Sequence, residues 1–203
     1  VKDIIVNDAD HKVIRYIKNG LRLNKVKNIK VLNIDANLLL RSSKEKFDYI
    51  ELDPFGSPIP YLNSAVYGLS KNGILAVTAT DLAALAGTYP RTCKRRYNSM
   101  SLRNEFMHES AIRILIYAVQ CIGFQHEKAL IPVLSYYCKH YIRIYFKNIG
   151  KVEKINEIMK EHKYIVYCRK CFNREVYDLP VKEFCKCGNK FSFIGPVYTG
   201  LLW

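Results

Sequence analysis

Along the first 147 residues, apolar positions switch repeatedly between strand-like runs and helix-like spacing. Ile4-Ile5-Val6 is a short apolar run ending at Asn7-Asp8. Val13, Ile14, Ile17 and Leu21 then recur at helical spacing, with Asp10 placed to cap that helix. Val31-Leu32-Asn33-Ile34 predicts a second strand, ending at Asp35, and Phe47 to Leu52 a third, stopping at Asp53-Pro54. Leu62, Ala65, Val66 and Leu69 mark the next helix, and Asn72-Gly73 turns the chain into a fourth strand, Ile74–Thr78. A long helix follows, with Phe106, Met107, Ile114, Leu115, Ala118 and Ile122 on one face. Glu127–Tyr137 and Tyr141–Phe146, parted by Cys138-Lys139-His140, predict a closing β-hairpin.

Strand–helix alternation of this kind predicts an α/β fold with a parallel sheet covered on both faces. Ligands of such sheets bind beyond the carboxyl ends of the strands. Asp8, Asp35 and Asp53 each end a predicted strand, and Asp81 closes the one running through Thr80. Residues 148–163 change character: they are charged, helix-prone and end in Glu161-His162-Lys163. The expected organisation is therefore a domain over 1–147, a linker helix over 148–163 and a small module over 164–203.

Composition narrows the class. A hydrophobic content of 49% supplies a core, and a charged content of 25% argues against wholesale disorder. No apolar run approaches the roughly 20 residues that span a bilayer. No signal peptide opens the chain, and a first residue of Val1 rather than Met suggests a text that begins inside a longer gene product. The net charge of +14, from 32 Lys+Arg against 18 Asp+Glu, favours a polyanionic partner. Part of it is local: Arg91, Lys94, Arg95, Arg96 and Arg103 fall in an acid-free stretch interleaved with Tyr89 and Tyr97. Following Asp81 on the ligand side of the sheet, it is expected to be a phosphate-gripping loop. His108 and Glu109 on the long helix are as well explained by a satisfied helical pair as by catalysis.

The strand-end acids suggest chemistry. Asp8 is placed to accept both hydroxyls of a ribose, or to serve as an acid at a helix N-terminus. Asp35-Ala36 offers a carboxylate for the amino edge of an adenine and an amide for a ring nitrogen; an ordinary turn aspartate is the other reading. Asp53-Pro54-Phe55-Gly56-Ser57-Pro58 is the sharpest feature. An exocyclic amine on a base is a poor nucleophile, because its lone pair is delocalised into the ring. A carboxylate from Asp53 and a carbonyl from Pro54, both accepting its N–H bonds, favour a pyramidal nitrogen and stabilise the positive charge that develops as a methyl arrives. Proline fixes φ and donates no N–H, Phe55 can stack on the base, and Gly56 permits close backbone approach.

Seven cysteines, an odd number without a secretory signal, argue against a disulfide framework and for a reducing, cytoplasmic setting. Cys168-x2-Cys171 and, 13 residues on, Cys185-x-Cys187 form two thiolate pairs with the makings of a structural zinc site. A closed four-thiolate shell leaves no open position, which excludes a catalytic metal there. The single residue between Cys185 and Cys187 departs from the usual two. Cys93, Cys121 and Cys138 are expected to be packing residues.

The sequence resembles the tRNA guanine-26 N2-dimethyltransferases of archaeal type. The resemblance runs in family order through Asp53-Pro-Phe-Gly-Ser-Pro58, Val77-Thr-Ala-Thr-Asp81, Arg96-Tyr97, His108-Glu109, Arg113-Ile-Leu115, Tyr167-Cys168 and Gly195-Pro196. It implies a Rossmann-like class I S-adenosylmethionine methyltransferase sheet and dimethylation of one guanine N2 amine in tRNA. Asp53 would engage the target amine and Phe55 stack on the base. Asp8, Asp35, Ala36 and Asp53 would face S-adenosylmethionine, and Asp81 would lie near the active site. The family opens with a further strand and a glycine-rich cofactor loop, and continues past Gly195-Pro196 into a C-terminal region. The chain thus resembles an internal portion, its first strand supplied by a preceding segment or a partner chain. Base identity is not written in Asp53-Pro54-Phe55, so adenine N6 or cytosine N4 methylation stays open, as does a non-catalytic RNA-binding subunit.

Overall fold

The computed structural model describes residues 3–179 and 182–202. The chain divides into two compact units, Val1–Lys46 and Phe47–Trp203.

The first unit is a β–α–β–α run: β1 (Ile4–Asn7), α1 (His11–Leu23), β2 (Ile29–Leu32) and α2 (Ala36–Ser42). β1 and β2 pair in parallel, Ile4 opposite Ile29 through Asn7 opposite Leu32. Asp10 caps α1 as expected, its carboxylate accepting the Lys12 amide at 2.8 Å. The predicted second strand extended to Ile34, but the ladder stops at Leu32. The reason is local: the Asn7 side chain takes both backbone groups of Ile34, donating to its carbonyl at 3.0 Å and accepting its N–H at 3.2 Å.

The second unit opens with β3 (Phe47–Leu52), the span the sequence predicts, and α3 (Ile59–Gly68). Pro54 ends the strand's hydrogen bonding because it has no N–H. β4 runs over Leu69–Ala79, longer than expected, and Leu69 starts it instead of ending the helix. The Asn72-Gly73 turn becomes an irregularity inside this strand: Phe47 pairs with Leu69 but Tyr49 pairs with Ile74. Lys128 closes the C-terminus of α3, its ammonium donating to the carbonyls of Val66 and Leu69 at 2.6 Å each. The short α4 (Leu82–Leu85) and α5 (Pro90–Tyr97) precede α6 (Met107–Gln125), the predicted long helix. The hairpin is β5 (Leu130–Cys138) and β6 (Tyr141–Asn148).

These four strands form one sheet in the order β3-β4-β6-β5, parallel between β3 and β4 and antiparallel beyond. The sheet is therefore mixed, and among the described strands β1 and β2 pair only with each other. Alternation sorts β6: Ile142, Ile144 and Phe146 are fully buried, while Tyr141, Arg143 and Tyr145 are half-buried. Leu75, Val77, Leu62, Val66, Ile114 and Leu115 are among the other fully buried residues, with α3 and α6 packed on the sheet.

The boundaries expected at 147 and 163 fall inside this unit. Residues 152–159 form α7 (Val152–Met159), whose Ile155 and Ile158 pack with Ala129, Phe124, Ile131 and Ile149. β7 (His162–Tyr167), β8 (Arg174–Tyr177) and β9 (Ser192–Tyr198) make an antiparallel sheet ordered β8-β7-β9. It is fastened to α6 and the preceding loop. Arg113 donates to the carbonyls of Tyr198 and Gly200 at 3.0 Å, Tyr167 donates to Glu105 at 2.7 Å, and Met100 bridges Gly195. No helix of the described residues is long and apolar enough to cross a membrane.

His162 joins β7 to α6. Gln120, fully buried, donates its amide to the Leu130 carbonyl, which leaves its oxygen to accept from His162 Nε2 at 2.8 Å. The imidazole also lies against the rings of Tyr117 and Phe124. Burial lowers its pKa from 6.5 to about 4, so the folded protein binds fewer protons than the unfolded chain between those values. This contribution is complete above pH 6.5 and is lost as pH falls toward 4; it is worth about 3 kcal/mol at most, less after solvent screening. Urea unfolding from pH 7 to 4.5 is expected to show a steeper loss of stability for the native sequence than for His162→Gln.

Candidate active site at the strand ends and a four-cysteine cluster

In the first unit, two loops carry the acids. Asn33 donates its side-chain amide to the carbonyls of Asp8 and Ala9 at 2.8 and 2.9 Å, tying the loop after β1 to the end of β2. Asp8 accepts the Asp10 amide at 2.7 Å, and Asp35 caps α2 by accepting the Leu38 amide at 3.0 Å. Each acid thus uses one carboxylate oxygen to shape its own loop, and Ala36 is the first residue of α2. Asn7 and Asn33 were not singled out in the sequence; the available signal was an asparagine one residue before Asp8 and another two residues before Asp35.

In the second unit, the turn after β3 is built by reciprocal bonds with the end of β4. The Gly56 amide donates to Thr80 Oγ1 at 2.7 Å, and the Thr80 amide donates to the Gly56 carbonyl at 3.0 Å. Gly56 has φ +85°, which a side chain would strain, and nothing lies within 4 Å of the position a Cβ would take. Its necessity is thus conformational. Phe55 is fully exposed, at 107% of its reference surface. A phenyl ring held wholly in water at a turn costs hydrophobic energy unless something stacks on it.

Asp53 points its Oδ2 at Arg143 of β6, 3.2 Å away, and the same guanidinium nitrogen reaches Glu51 Oε1 at 3.0 Å. Arg143 Nε donates to Thr78 Oγ1 at 2.8 Å. Desolvation opposes the charge of Arg143, but Tyr145, Glu51 and Asp53 outweigh it and hold its pKa above the ordinary value. Arg143 escaped notice in the sequence. Its signal was a charge in the middle of a strand, at an alternating polar position; its partners come from two other strands.

Asp81 organises the other side of the turn. Its Oδ1 accepts from the buried Tyr97 hydroxyl at 2.6 Å, its Oδ2 accepts from Arg96 at 2.8 Å, and Tyr97 in turn accepts from Ser57 at 2.9 Å. Burial, then the charge of Asp81, raises the Tyr97 pKa far above the phenol range, so it remains a donor. The first part of the basic segment expected to be a loop is the helix α5, and Arg103 lies beyond it in the irregular stretch before α6. Pro90 starts α5, and Cys93 and Tyr97, four apart, are its buried face. Arg91, Lys94 and Arg95 are exposed, whereas Arg96 is engaged by Asp81. His108 stacks on Tyr137 with ring centroids 4.0 Å apart, and Glu109 pairs with Arg113 one turn on.

The cysteine cluster lies at the end of the small sheet. The sulfurs of Cys168, Cys171, Cys185 and Cys187 all lie within 4.8 Å of one another. Cys168–Cys187 and Cys171–Cys185 are 3.5 and 3.4 Å apart. Both distances are far too long for a disulfide and close to the roughly 3.8 Å edge of a tetrahedron with Zn–S of about 2.3 Å. Two matched turns present them: Phe172 donates its amide to the Cys168 carbonyl and Gly188 to that of Cys185, each at 2.8 Å. Gly188 has φ +81°, so the shortened Cys185-Lys186-Cys187 spacing still closes the second turn. Desolvation resists ionisation of Cys168, yet the amides of Cys171 and Lys170 and the neighbouring thiols draw it down to about 6. At Cys171 the Asn173 amide favours the thiolate, but the other three cysteines push it up to about 12. Crowded thiolates of this kind are reconciled by a cation, and the donor set fits zinc. Of the remaining cysteines, Cys93 is buried and Cys121 and Cys138 half-buried.

A family model described as N2,N2-dimethylguanosine tRNA methyltransferase matches residues 1–203. The tRNA (guanine(26)-N(2)/guanine(27)-N(2))-dimethyltransferase of Aquifex aeolicus is 42% identical, covering 100% of this chain and 53% of the relative. The tRNA (guanine(26)-N(2))-dimethyltransferase of Methanobrevibacter smithii is 35% identical over 98% of the chain and 53% of its own length. The solved structure of Trm1 from Pyrococcus horikoshii with S-adenosyl-L-methionine superposes with a TM-score of 0.89 at 30% identity, over 98% of this chain and 56% of that one. The fold is thus of the Rossmann-like α/β class, as in that Trm1 structure. The chain belongs to the N2,N2-dimethylguanosine tRNA methyltransferase family. It spans about half the length of the curated relatives it matches.

The Tyr97 hydroxyl is the hinge of the turn. Tyr97→Phe deprives the nearly buried Asp81 of a donor and is expected to cost about 1–3 kcal/mol in urea unfolding. Tyr89→Phe, at an exposed ring, is expected to leave the midpoint unchanged.

Proposed function

We propose that this chain is most of the catalytic core of an S-adenosylmethionine-dependent enzyme that methylates the N2 amine of guanine 26 in tRNA, to N2,N2-dimethylguanosine. The observation that carries the reading is the turn after β3: a half-exposed Asp53 carboxylate held by Arg143, followed by the Pro54 carbonyl and a wholly exposed Phe55. Asp53 and Pro54 accept the two N–H bonds of the amine, and Phe55 stacks on the extruded guanine. Bound S-adenosylmethionine supplies a methyl group on a positively charged sulfur. It would supply that methyl to the amine lone pair, a new N–C bond replacing the C–S bond, whose electrons would stay on sulfur. The surplus proton leaves the nitrogen along its hydrogen bond to Asp53 and passes to water. Asp8 holds the cofactor ribose, Asp35 the adenine amino group and the Ala36 amide a ring nitrogen. The exposed Arg91, Lys94 and Arg95 grip tRNA phosphates, while Arg96 acts through Asp81.

The four cysteines hold a structural zinc ion, which would close the turns around it. Among the described residues, the core cluster at the site holds Val166, Cys168, Cys185 and Phe191, with Tyr177 against it, so half of that cluster is the cysteines themselves. A segment outside this chain, in the same gene product or a partner chain, supplies the glycine-rich cofactor loop, as the length of the relatives suggests. The protein works in the cytoplasm, where thiols stay reduced.

The full-length protein, incubated with S-adenosylmethionine and tRNA transcripts carrying guanine or adenine at position 26, is expected to yield N2-methylated guanosine from the guanine transcript alone. Asp53→Ala is expected to lower kcat by about 100-fold or more. Methylated adenosine from the other transcript would remove the guanine reading, and bound tRNA without any transfer would leave an RNA-binding subunit.

Metal analysis is expected to find one zinc per chain. A strong chelator, or Cys168→Ser with Cys187→Ser, should open 164–202 to proteolysis and leave the β3-β4-β6-β5 sheet protected.

A further inference from the structure

We propose that Arg143 is a positioning residue for methyl transfer, holding the Asp53 carboxylate in the one orientation from which it can receive the target amine. This rests on the reading above that Asp53 engages that amine.

The argument begins with register. Arg143 of β6 lies opposite Thr78 of β4, and β4 in turn pairs with β3, where Leu52 is opposite Val77. Asp53 is the next residue of that chain, so the guanidinium crosses one strand to reach it. Glu51 and Asp53, two apart at the end of a strand, turn their side chains to the same face. Two like charges there repel, and the only described cation paired with them is Arg143.

The clamp is planar and held at both ends. Nε is committed to Thr78, which is 2% exposed, and one terminal nitrogen divides its two hydrogens between Glu51 Oε1 and Asp53 Oδ2. A lysine could supply the charge but not this fork. The Arg143 side chain is 18% exposed and that of Asp53 56%. The cation is therefore the fixed partner and the carboxylate the part presented outward. Because the arginine takes Oδ2, Oδ1 is left for the amine. One cation against two carboxylates leaves a net negative charge, which suits the positive charge that develops on the nitrogen. Full pairing of Arg143 to Asp53 alone would cancel it, and Glu51 prevents that.

The test uses the full-length protein with Arg143→Lys and Arg143→Ala, read against native protein and Asp53→Ala. A misplaced carboxylate is expected to lower kcat by about 10- to 100-fold in both arginine variants, with KM for tRNA and for cofactor within about threefold of native. Added guanidinium at millimolar concentration is expected to restore part of the Arg143→Ala rate and none of the Asp53→Ala rate. Native kcat in both variants would overturn the proposal. So would a loss confined to KM for tRNA, which would make Arg143 a phosphate contact. So would a loss without guanidinium rescue accompanied by a lowered unfolding midpoint, which would make it a structural ion pair. Native protein that transfers no methyl group overturns the underlying reading instead.

Discussion

Everything at this site depends on the burial of β4. It runs parallel to β3 on one side and antiparallel to β6 on the other, and Leu75 to Ala79 are at most 2% exposed. A strand buried on both faces has no water to satisfy its backbone, so its ladders to both neighbours must be complete. That fixes the register, and the register fixes which residues meet at one end. β3 delivers Asp53, β4 delivers Thr78, Thr80 and Asp81, and β6, entering from the same end because it is antiparallel, delivers Arg143.

The strand-end acids are then distinguished by how each is satisfied. Asp8 and Asp35 are held by amides of their own loops. Asp81 is taken up by Tyr97 and Arg96 and is 10% exposed. Asp53 has a single cationic partner, shared with Glu51, and remains 56% exposed. Four similar residues in the sequence are thus two loop-shaping acids, one internal brace and one outward-facing acceptor. The brace matters to the acceptor because Asp81, through Tyr97 and Ser57, holds the turn that carries Phe55. The same ion pair ties Arg96 to Asp81 while leaving its side chain 48% exposed.

The small sheet follows a different economy. Its core cluster includes two of the cysteines themselves. It is held to the rest of the unit both by β9, whose Ile194 and Val197 are fully buried and which packs on α6, and by polar bonds through Arg113, Glu105 and Gln120. Small modules with little apolar surface need a cross-link, and four sulfurs this close together are placed to accept a metal as one. Here a shortened cysteine spacing is compatible with four converging sulfurs because Gly188 adopts a left-handed backbone conformation that strains most other residues.

Most of the secondary structure was legible in the sequence, since hydrophobic period and turn residues are local properties. β3, the long α6, the hairpin and the Asp10 cap lie where the pattern predicts, and the convergence of the four cysteines follows from their spacing. The Asp53-Pro54-Phe55 turn could be singled out because its chemistry is carried by adjacent residues. What the pattern missed was decided by contacts between distant segments. The second strand ended early because Asn7 captured Ile34, and the Asn72-Gly73 turn was absorbed into β4 by pairing with β3. The basic loop became a helix because Cys93 and Tyr97 found a core. Arg143 is the clearest case. Alternation along β6 assigns it to the polar face, but its partners lie some 65 to 92 residues away along the chain, and only strand register brings them within hydrogen-bonding distance.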